Sequence, residues 1–261
     1  MLTVPAELRI IAVLLIDEKR LVKTRAFQRP VYLGDPINAV RIFNEKSVDE
    51  LALLDIGASL KKQGPNISHI RQIASAAFMP LAYGGGIRDV EDVERVIQCG
   101  IEKVVLGTVA HRDMKVISQS AHSVGSQSVV VSVDIRRRNQ LQVFYLHGRK
   151  MGAMSPIEFA RAVESEGAGE LLLNDIDRDG SLSGYDLDVI AEMAAAVKIP
   201  LIASGGASCI ADLIQVQSEA RASAAAAGSL FVFIGPLRGI LLSYPSEEER
   251  QKEYLRLCSN Q

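Results

Sequence analysis

The stretches PLAYGGG at residues 80–86 and PLIASGG at residues 200–206 decide the fold, because the second repeats the first 120 positions later. In each, a proline opens a short apolar run that ends in glycines. The same spacing relates Asp55 in LALLDI to Asp175 in LLLNDI, and it relates the PI pairs at residues 36–37 and 156–157. Self-similarity at a fixed spacing indicates a repeated structural unit. The chain therefore reads as two copies of one pattern.

Short apolar runs alternate with amphipathic, helix-like runs along both copies. The apolar runs are nearly continuous, as expected for parallel strands that are covered on both faces. The predicted strands are residues 9–15, 50–56, 81–83, 103–106, 128–134, 170–175, 201–204 and 223–227. The predicted helices are residues 36–45, 67–77, 89–98, 115–123, 156–166, 187–196, 210–218 and 247–257.

Eight such units in 261 residues predict an α/β fold, a (β/α)8 TIM barrel built from two similar half-barrels. An open, doubly wound sheet is the alternative, but a two-fold repeat favours closure. No linker separates the halves, so residues 1–261 are interpreted as one domain. Residues 140–150 predict a small hairpin after strand five. Residues 23–35 read as a long, polar loop after strand one, and a loop of that length is usually functional.

Composition narrows the class of protein. The chain is 48% hydrophobic and 23% charged with a net charge of −2, so no basic patch points to nucleic acid. Three cysteines lack metal-type spacing and favour a reducing cytoplasm. No signal peptide is recognised, and the run IIAVLLI suits a buried strand better than a membrane span. Neither a metal nor a cofactor is expected.

Glycine-bearing turns follow predicted strands three, four, seven and eight. Glycine lets backbone amides approach phosphate oxygens closely, and a helix N-terminus adds a favourable dipole. The repeat thus predicts two phosphate sites on opposite sides of the barrel mouth, although the glycines could instead only make tight turns. The candidate residues are Gly85, Gly107, Thr108, Gly206, Gly228 and Ser229.

The segment DIDRDGSLSGYD at residues 175–186 begins like a calcium loop. Asp177, Asp179 and Gly180 fit the start of that pattern, but the later spacing fails and no glutamate stands at the required place. A loop that contacts the substrate is the preferred interpretation, with Asp179 and the amide at Gly180 supporting a phosphate. Lys23 could contact the same anionic substrate; a solvated lysine is the alternative.

Asp134 ends the apolar run VVVSVD and is the candidate general acid or base, because TIM barrels place catalytic groups at the C-terminal ends of strands. A helix cap or a salt bridge with a nearby arginine is the structural alternative. The repeat pairs Asp134 with Leu14 or Leu15, so only one half carries this acid. Asp17 could substitute, although its charged neighbourhood indicates a solvated turn. No histidine stands at a strand end, so a histidine base is not expected.

Four charged residues begin strands one, two, four and six at the other end of the barrel. Such residues are usually solvated or form weak surface ion pairs. Pointing inward, they would form a charged ring that closes the lower end and acts as a gate. The four are Arg9, Glu50, Lys103 and Glu170.

Together these residues resemble the cyclase subunit of imidazole glycerol phosphate synthase. The resemblance runs from Arg9 to Phe233 and rests most on DELALLDIGAS, PLAYGGGIR, GSQSVVVSVD, LLLNDIDRDGSLSGYDL and IPLIASGGA. It implies a lyase-type subunit of a glutamine amidotransferase heterodimer. A glutaminase on the N-terminal face would release ammonia, which would pass the ring and travel through the barrel. At the mouth, two aspartates would cyclise a ribulosyl nucleotide that is held by two phosphates.

The sequence departs from this family at specific places. Leu15 stands where the family has its first aspartate, KR replaces a usual GR, and Gly107 replaces an asparagine. Near the chain end, IGPLRGILLSYPSEEE at residues 234–249 replaces the family's usual short final segment. These departures are similar to a branch associated with amidation of bacterial surface sugars such as lipopolysaccharide. There, the ammonia would serve a third enzyme that builds an acetamidino group.

Three interpretations therefore stand. The first is an ammonia-channelling barrel for a sugar amidotransferase. The second is a working histidine-pathway cyclase in which Asp17 or another group substitutes for the missing aspartate. The third is a non-catalytic scaffold that binds a phosphorylated ligand. The related sugar isomerase of the same pathway fits less well, because its chains usually lack the charged ring.

Overall fold

A computed structural model describes residues 8–235 and 237–259 and shows eight parallel strands that close into a barrel. β8 pairs with β1 through Ala225 and Ile10, and β5 pairs with β6, so the sheet has no open edge between the halves. Closure excludes the doubly wound sheet and confirms the predicted TIM barrel. In chain order the barrel strands are β1 Ile10–Asp17, β2 Glu50–Asp55, β3 Leu81–Gly84, β4 Lys103–Leu106, β5 Val129–Arg137, β6 Glu170–Asp175, β7 Leu201–Ser204 and β8 Ala224–Ala227.

Helices cover the outside of the barrel at the predicted places. The eight longer ones are α1 Pro36–Glu45, α2 Ile67–Ala74, α3 Val90–Ile97, α4 Lys115–Val124, α5 Pro156–Ser165, α6 Leu187–Ala196, α7 Ile210–Ser218 and α8 Glu247–Ser259. The repeat is visible in their first turns, because α1 and α5 both begin at proline. Asp35 caps α1, and Ser155 caps α5 in a reciprocal capping box with Glu158. Two short helices, Thr108–Arg112 and Ser229–Val232, were not predicted.

The barrel has two apolar layers, one on each face of the sheet. Because successive residues of a strand point to opposite faces, alternate residues line the interior. The outer layer packs against the helices around Phe43, Phe159 and Phe231. The buried residues of the interior layer are Ile11, Val13, Leu15, Val22, Ala52, Ala82, Val105, Val130, Leu172, Ile202, Ala224 and Ala226.

Hairpins follow the first strand of each half and extend the sheet above the barrel. Residues 140–150 form the predicted hairpin, with Leu141–Tyr145 antiparallel to β5 and to Lys150–Met151. The prediction of a loop at residues 23–35 was wrong. Strands Arg20–Arg25 and Gln28–Gly34 form a hairpin there instead, and the first of them pairs with β1. The two halves thus share this feature as well.

The segment after β8 is anchored to the barrel through Tyr244. After β8, Phe233–Ile234 and Gly239–Ile240 pair as a small hairpin; Pro236 within it lies outside the described residues, as do the first seven and last two residues of the predicted domain. The chain then reaches Tyr244, whose hydroxyl donates to the carbonyl of Ile10 at 3.0 Å and accepts from the amide of Asp49 at 3.3 Å. α8 packs against α7 and buries none of its described residues.

Tyr244→Phe should lower the free energy of unfolding by about 1–2 kcal/mol, because it removes a buried hydroxyl that satisfies two backbone groups. Urea denaturation followed by circular dichroism would measure the change. Tyr254→Phe, on the loosely packed α8, is the matched control and should change stability by less than about 0.5 kcal/mol. Equal effects of the two substitutions would show that Tyr244 does not anchor the chain end.

Candidate functional site

One cavity of about 140 Å³ opens at the C-terminal ends of the barrel strands and receives side chains from both halves. It brings together ten of the predicted site residues, which had been drawn from five different strand ends and two loops. These are Lys23, Gly85, Gly107, Thr108, Asp134, Asp179, Gly180, Gly206, Gly228 and Ser229.

Asp134 lies on the inward face of β5 at the floor of this cavity. The hydroxyl of Ser132 donates to its Oδ1 at 2.8 Å. Burial raises the pKa of Asp134 to about 6, and hydrogen bonds from Ser132 and Asn174 oppose part of that rise. A carboxyl group with such a pKa is half protonated at about pH 6, so it can both donate and accept a proton. Among the described residues, Asp134 therefore neither caps a helix nor forms a salt bridge with an arginine.

Strand register identifies Leu15 as the counterpart of Asp134. In β5 and β6, Asp134 pairs with Asn174; in β1 and β2, Leu15 pairs with Leu54. Leu15 is buried among the interior apolar residues and lines the same cavity. At these two corresponding positions, the second half of the barrel therefore carries Asp134 and Asn174, and the first half carries Leu15 and Leu54.

A buried ion pair lies beside Asp134. Lys23 is only 5% exposed, and its Nζ lies 2.8 Å from Oδ1 of Asp179. Thr24 donates to the other carboxylate oxygen at 3.2 Å. A β-carbon placed on Gly228 would lie 3.2 Å from Nζ of Lys23, so the ammonium faces the turn after β8. The alternative of a solvated Lys23 is therefore wrong.

The glycine turns form two matching groups at opposite sides of the cavity. Gly85 after β3 and Gly205 after β7 both have positive φ, and a β-carbon on either would collide with the carbonyl of Asp55 or Asp175. The neighbouring turns lead into the two short helices, at Thr108 and at Ser229. The hydroxyl Oγ of Ser229 is buried and has no hydrogen-bond partner within the part of the chain that the structure describes. An anion with oxygen acceptors would satisfy that donor.

Aromatic side chains from the two hairpins meet above the cavity. Phe27 stacks on His147 with their ring centroids 5.0 Å apart and their planes nearly parallel. Below them, His111 is stacked between Tyr145 and Phe159, and burial lowers the pKa of His111 to about 4. Both histidines line the cavity, although neither stands at a strand end. Neither was predicted from the sequence, because His111 lies in an unpredicted short helix and His147 in a hairpin whose position over the mouth the sequence pattern does not indicate.

The other acids near the strand ends make contacts of their own, and of Asp55 and Asp17 it is Asp55 that lines the mouth cavity. Asp55 caps its turn by accepting from the amides of Gly57 and Ala58, both at 3.0 Å. Asp175 does the same in the second half. Asp17 faces a separate crevice and pairs with Lys61 at 2.9 Å, so it does not line the mouth. As a stand-in for the first aspartate, Asp17 is contradicted by this placement.

At the opposite end, the four predicted ring residues contact one another. Arg9 donates to Glu50 at 2.7 Å and to Glu170 at 2.9 Å. Lys103 lies 3.1 Å from Glu170 and 3.7 Å from Glu50. These residues point inward below the apolar interior and form a closed ring of alternating charge. The four side chains are therefore ion-paired with one another and not separately solvated, and their role as a gate stays a prediction.

Within residues 8–235 and 237–259, no helix is both long and apolar enough to cross a bilayer.

Comparison with known proteins agrees with this geometry. The model of the family "Histidine biosynthesis protein" matches residues 9–235. The chain belongs to that family. Among curated relatives, "Putative imidazole glycerol phosphate synthase subunit hisF3" of Vibrio vulnificus is 46% identical over 94% of this chain and 95% of its own length.

Two further relatives cover the chain almost as fully. "Putative imidazole glycerol phosphate synthase subunit hisF2" of Pseudomonas aeruginosa is 48% identical over 91% of this chain and 95% of its own length. "Imidazole glycerol phosphate synthase subunit HisF" of Hyphomonas neptunium is 39% identical over 86% and 90%, respectively. The chain is thus HisF-like, within the family of the cyclase subunit.

Asp134→Asn should raise the free energy of unfolding near pH 8, and this gain should disappear near pH 4. A carboxyl whose pKa is raised on folding binds its proton more tightly in the folded state, so stability falls as pH rises from about 4 to about 6. Above that window the ionised group is destabilising. Since the cavity opens to solvent, the expected gain is at most about 2 kcal/mol. Urea denaturation at several pH values would measure it.

Asp188→Asn, an exposed position in the first turn of α6, is the control and should stay within about 0.5 kcal/mol across the same pH range. A difference between Asp134→Asn and the parent that does not change with pH would contradict the raised pKa of Asp134.

Proposed function

We propose that this HisF-like chain is the barrel subunit of a glutamine-dependent amidotransferase, in which it carries ammonia from a glutaminase partner to the mouth without completing the cyclisation itself. One observation carries the proposal: Leu15 stands at the register position that corresponds to Asp134. The charged ring and the apolar interior that would deliver ammonia are present. Of the two acids that would catalyse cyclisation, one is replaced by a leucine.

The path for ammonia is supported by the barrel interior. Above the ring of Arg9, Glu50, Lys103 and Glu170, the inward-facing side chains are apolar and several are alanines, Ala52, Ala82, Ala224 and Ala226 among them. Ammonia is small and uncharged, so it enters such an interior at a far lower desolvation cost than an ion. The closed ring would keep water and ions out until ammonia arrives from the partner on that face.

The chemical deficit follows from what surrounds Leu15. Its neighbours on the adjacent strands are Leu54 and Val22, which transfer no protons. Asp17 pairs with Lys61 away from the mouth, and Asp55 lines the mouth but uses its Oδ1 to cap a turn. Cyclisation by two cooperating acid/base groups would then depend on Asp134 alone, and loss of one such group typically costs about 10²–10⁴-fold in rate.

Two anion sites favour a ligand with a phosphate at each end. The turns after β3 and β4 face those after β7 and β8 across the cavity, and Lys23 supplies a buried positive charge on the second side. A diphosphorylated ligand at the mouth would signal occupancy to the glutaminase even where it is not cyclised. Such a signal would explain why the phosphate turns persist without the first acid.

The finer proposal concerns the acceptor of the ammonia. The loss of the first acid and the altered chain end favour service to a third enzyme, one that adds nitrogen to a sugar to form an acetamidino group in surface glycans such as lipopolysaccharide. The altered end lies at the mouth, because Arg238 donates to the carbonyl of Gly180. A segment in that position is suited to determine which acceptor enzyme receives ammonia from the mouth.

A working cyclase of histidine biosynthesis is the second candidate. It is favoured by the retention of Asp134, Asp179 and Lys23 around one cavity with both sets of phosphate turns. It requires an acid on the first side of the mouth, or a rate sustained by Asp134 alone.

The two candidates are separated by the complex of this chain with its cognate glutaminase. Glutamate release from glutamine and formation of imidazole glycerol phosphate would be measured together, with and without the ribulosyl nucleotide. We expect this chain to raise glutamine hydrolysis at least about tenfold over the glutaminase alone, with imidazole product at least about 100-fold below hydrolysis.

Imidazole product formed in step with glutamine hydrolysis would overturn the conduit proposal and favour the cyclase. A glutaminase that is not activated would also overturn it, and would leave a phosphate-binding scaffold. The Hyphomonas HisF with its own glutaminase is the positive control for both signals.

A further inference from the structure

We infer that Asn174, together with Ser132 and Asp134, forms a receiving site that binds ammonia or ammonium where the barrel interior meets the mouth. The inference rests on the proposed conduit function and adds the place where the nitrogen stops. Asn174 would be a binding residue through its side-chain oxygen and a positioning residue through its contact with Asp134.

The inward-facing residues of β6 lead from the ring to this point. Glu170 belongs to the charged ring, Leu172 lies in the interior apolar layer, and Asn174 lines the mouth cavity. On β5, Val130 is followed two and four residues later by Ser132 and Asp134. A molecule that moves up the axis on this side therefore meets one apolar layer and then a group of hydrogen-bonding side chains.

Asn174 has an acceptor that the protein leaves unsatisfied. Its Oδ1 is buried and has no hydrogen-bond partner among the described residues. The side chain lies opposite Asp134 in the strand register and helps to lower the pKa of that carboxyl. A buried polar atom of this kind is costly unless a ligand or water completes it. A carbonyl oxygen only accepts, so its partner must carry an N–H or O–H group.

Ammonia and ammonium fit this requirement in both size and chemistry. Each carries at least three N–H donors on one heavy atom, enough to reach Oδ1 of Asn174 and the carboxylate of Asp134 together. The other charged groups near Asp134 are Asp179, which also disfavours its ionisation, and Lys23, which is paired with Asp179. Burial and Asp179 disfavour the ionised form of Asp134, and a bound N–H donor would stabilise that form.

The opposite side of the mouth provides the internal contrast. The counterparts of Asn174 and Asp134 are Leu54 and Leu15, which accept no hydrogen bond. The receiving site is therefore one-sided, and nitrogen leaving the interior would be held beside β5 and β6. Leu54 also supplies a matched control position, at the same height in the barrel.

The test is the pKa of Asp134 in the full-length barrel, measured by carboxyl ¹³C NMR and assigned by comparison with Asp134→Asn. Titrations would be run in ammonium chloride and in tetramethylammonium chloride at equal ionic strength. The second cation has the same charge but no N–H group. We expect ammonium to lower the pKa of Asp134 by about half a unit relative to tetramethylammonium, which is about a threefold change.

Asn174→Leu should abolish the ammonium-specific shift, and Asn174→Thr, which restores an acceptor oxygen, should recover part of it. Leu54→Ala should keep the full shift, since it changes volume on the apolar side only. Circular dichroism would confirm that each variant is folded. A shift that persists in Asn174→Leu, or equal pKa values in the two salts for the parent, would overturn the receiving site.

The outcome is separable from that of the proposed function, because the NMR titration needs no glutaminase. An absent ammonium shift in a barrel that still activates its glutaminase without imidazole product would remove only the receiving site. A clear shift in a barrel that forms imidazole product would remove the conduit proposal and leave the ammonia site in place.

Discussion

Closure of the parallel sheet fixes the height of every inward-facing side chain, and the rest of the site depends on that constraint. Because β1 pairs with β8 and β5 with β6, the two halves present corresponding residues at the same level of one cavity. The same register sets the charged ring below and the phosphate turns above. A substitution in one half can therefore be compared with its counterpart in the other, and that comparison singles out Leu15.

The comparison shows a barrel whose symmetric scaffold carries an asymmetric site. Turn caps at Asp55 and Asp175, helix starts at two prolines and paired hairpins all repeat between the halves. These features stabilise the backbone and are retained in both. At the top of the interior, by contrast, Asp134 and Asn174 of the second half correspond to Leu15 and Leu54 of the first half. The two halves thus share the features that stabilise the backbone, and they differ in the side chains that could take part in catalysis.

Sequence reasoning recovered the barrel because apolar runs and the 120-residue repeat report directly on buried strands. The hairpin after β1 was missed since its tip, Ala26 and Phe27, adopts positive φ without the glycine or asparagine that usually marks such a turn. Asn174 and Ser132 could have been found from strand alternation, as they share the inward face with Asp134. His111 and His147 could not, because His111 lies in an unpredicted short helix after β4 and His147 reaches the mouth only through the folded hairpin after β5.

The central claim is that a mouth with one acid does not cyclise. The most direct measurement is ammonium-dependent formation of imidazole glycerol phosphate by the isolated barrel, which bypasses the glutaminase, compared with Asp134→Asn. The account predicts that the parent barrel forms no more product than Asp134→Asn within the error of the assay. Product formed by the parent at about 100-fold the rate of Asp134→Asn would contradict it, because Asp134, alone or with a second group, would then be completing the cyclisation.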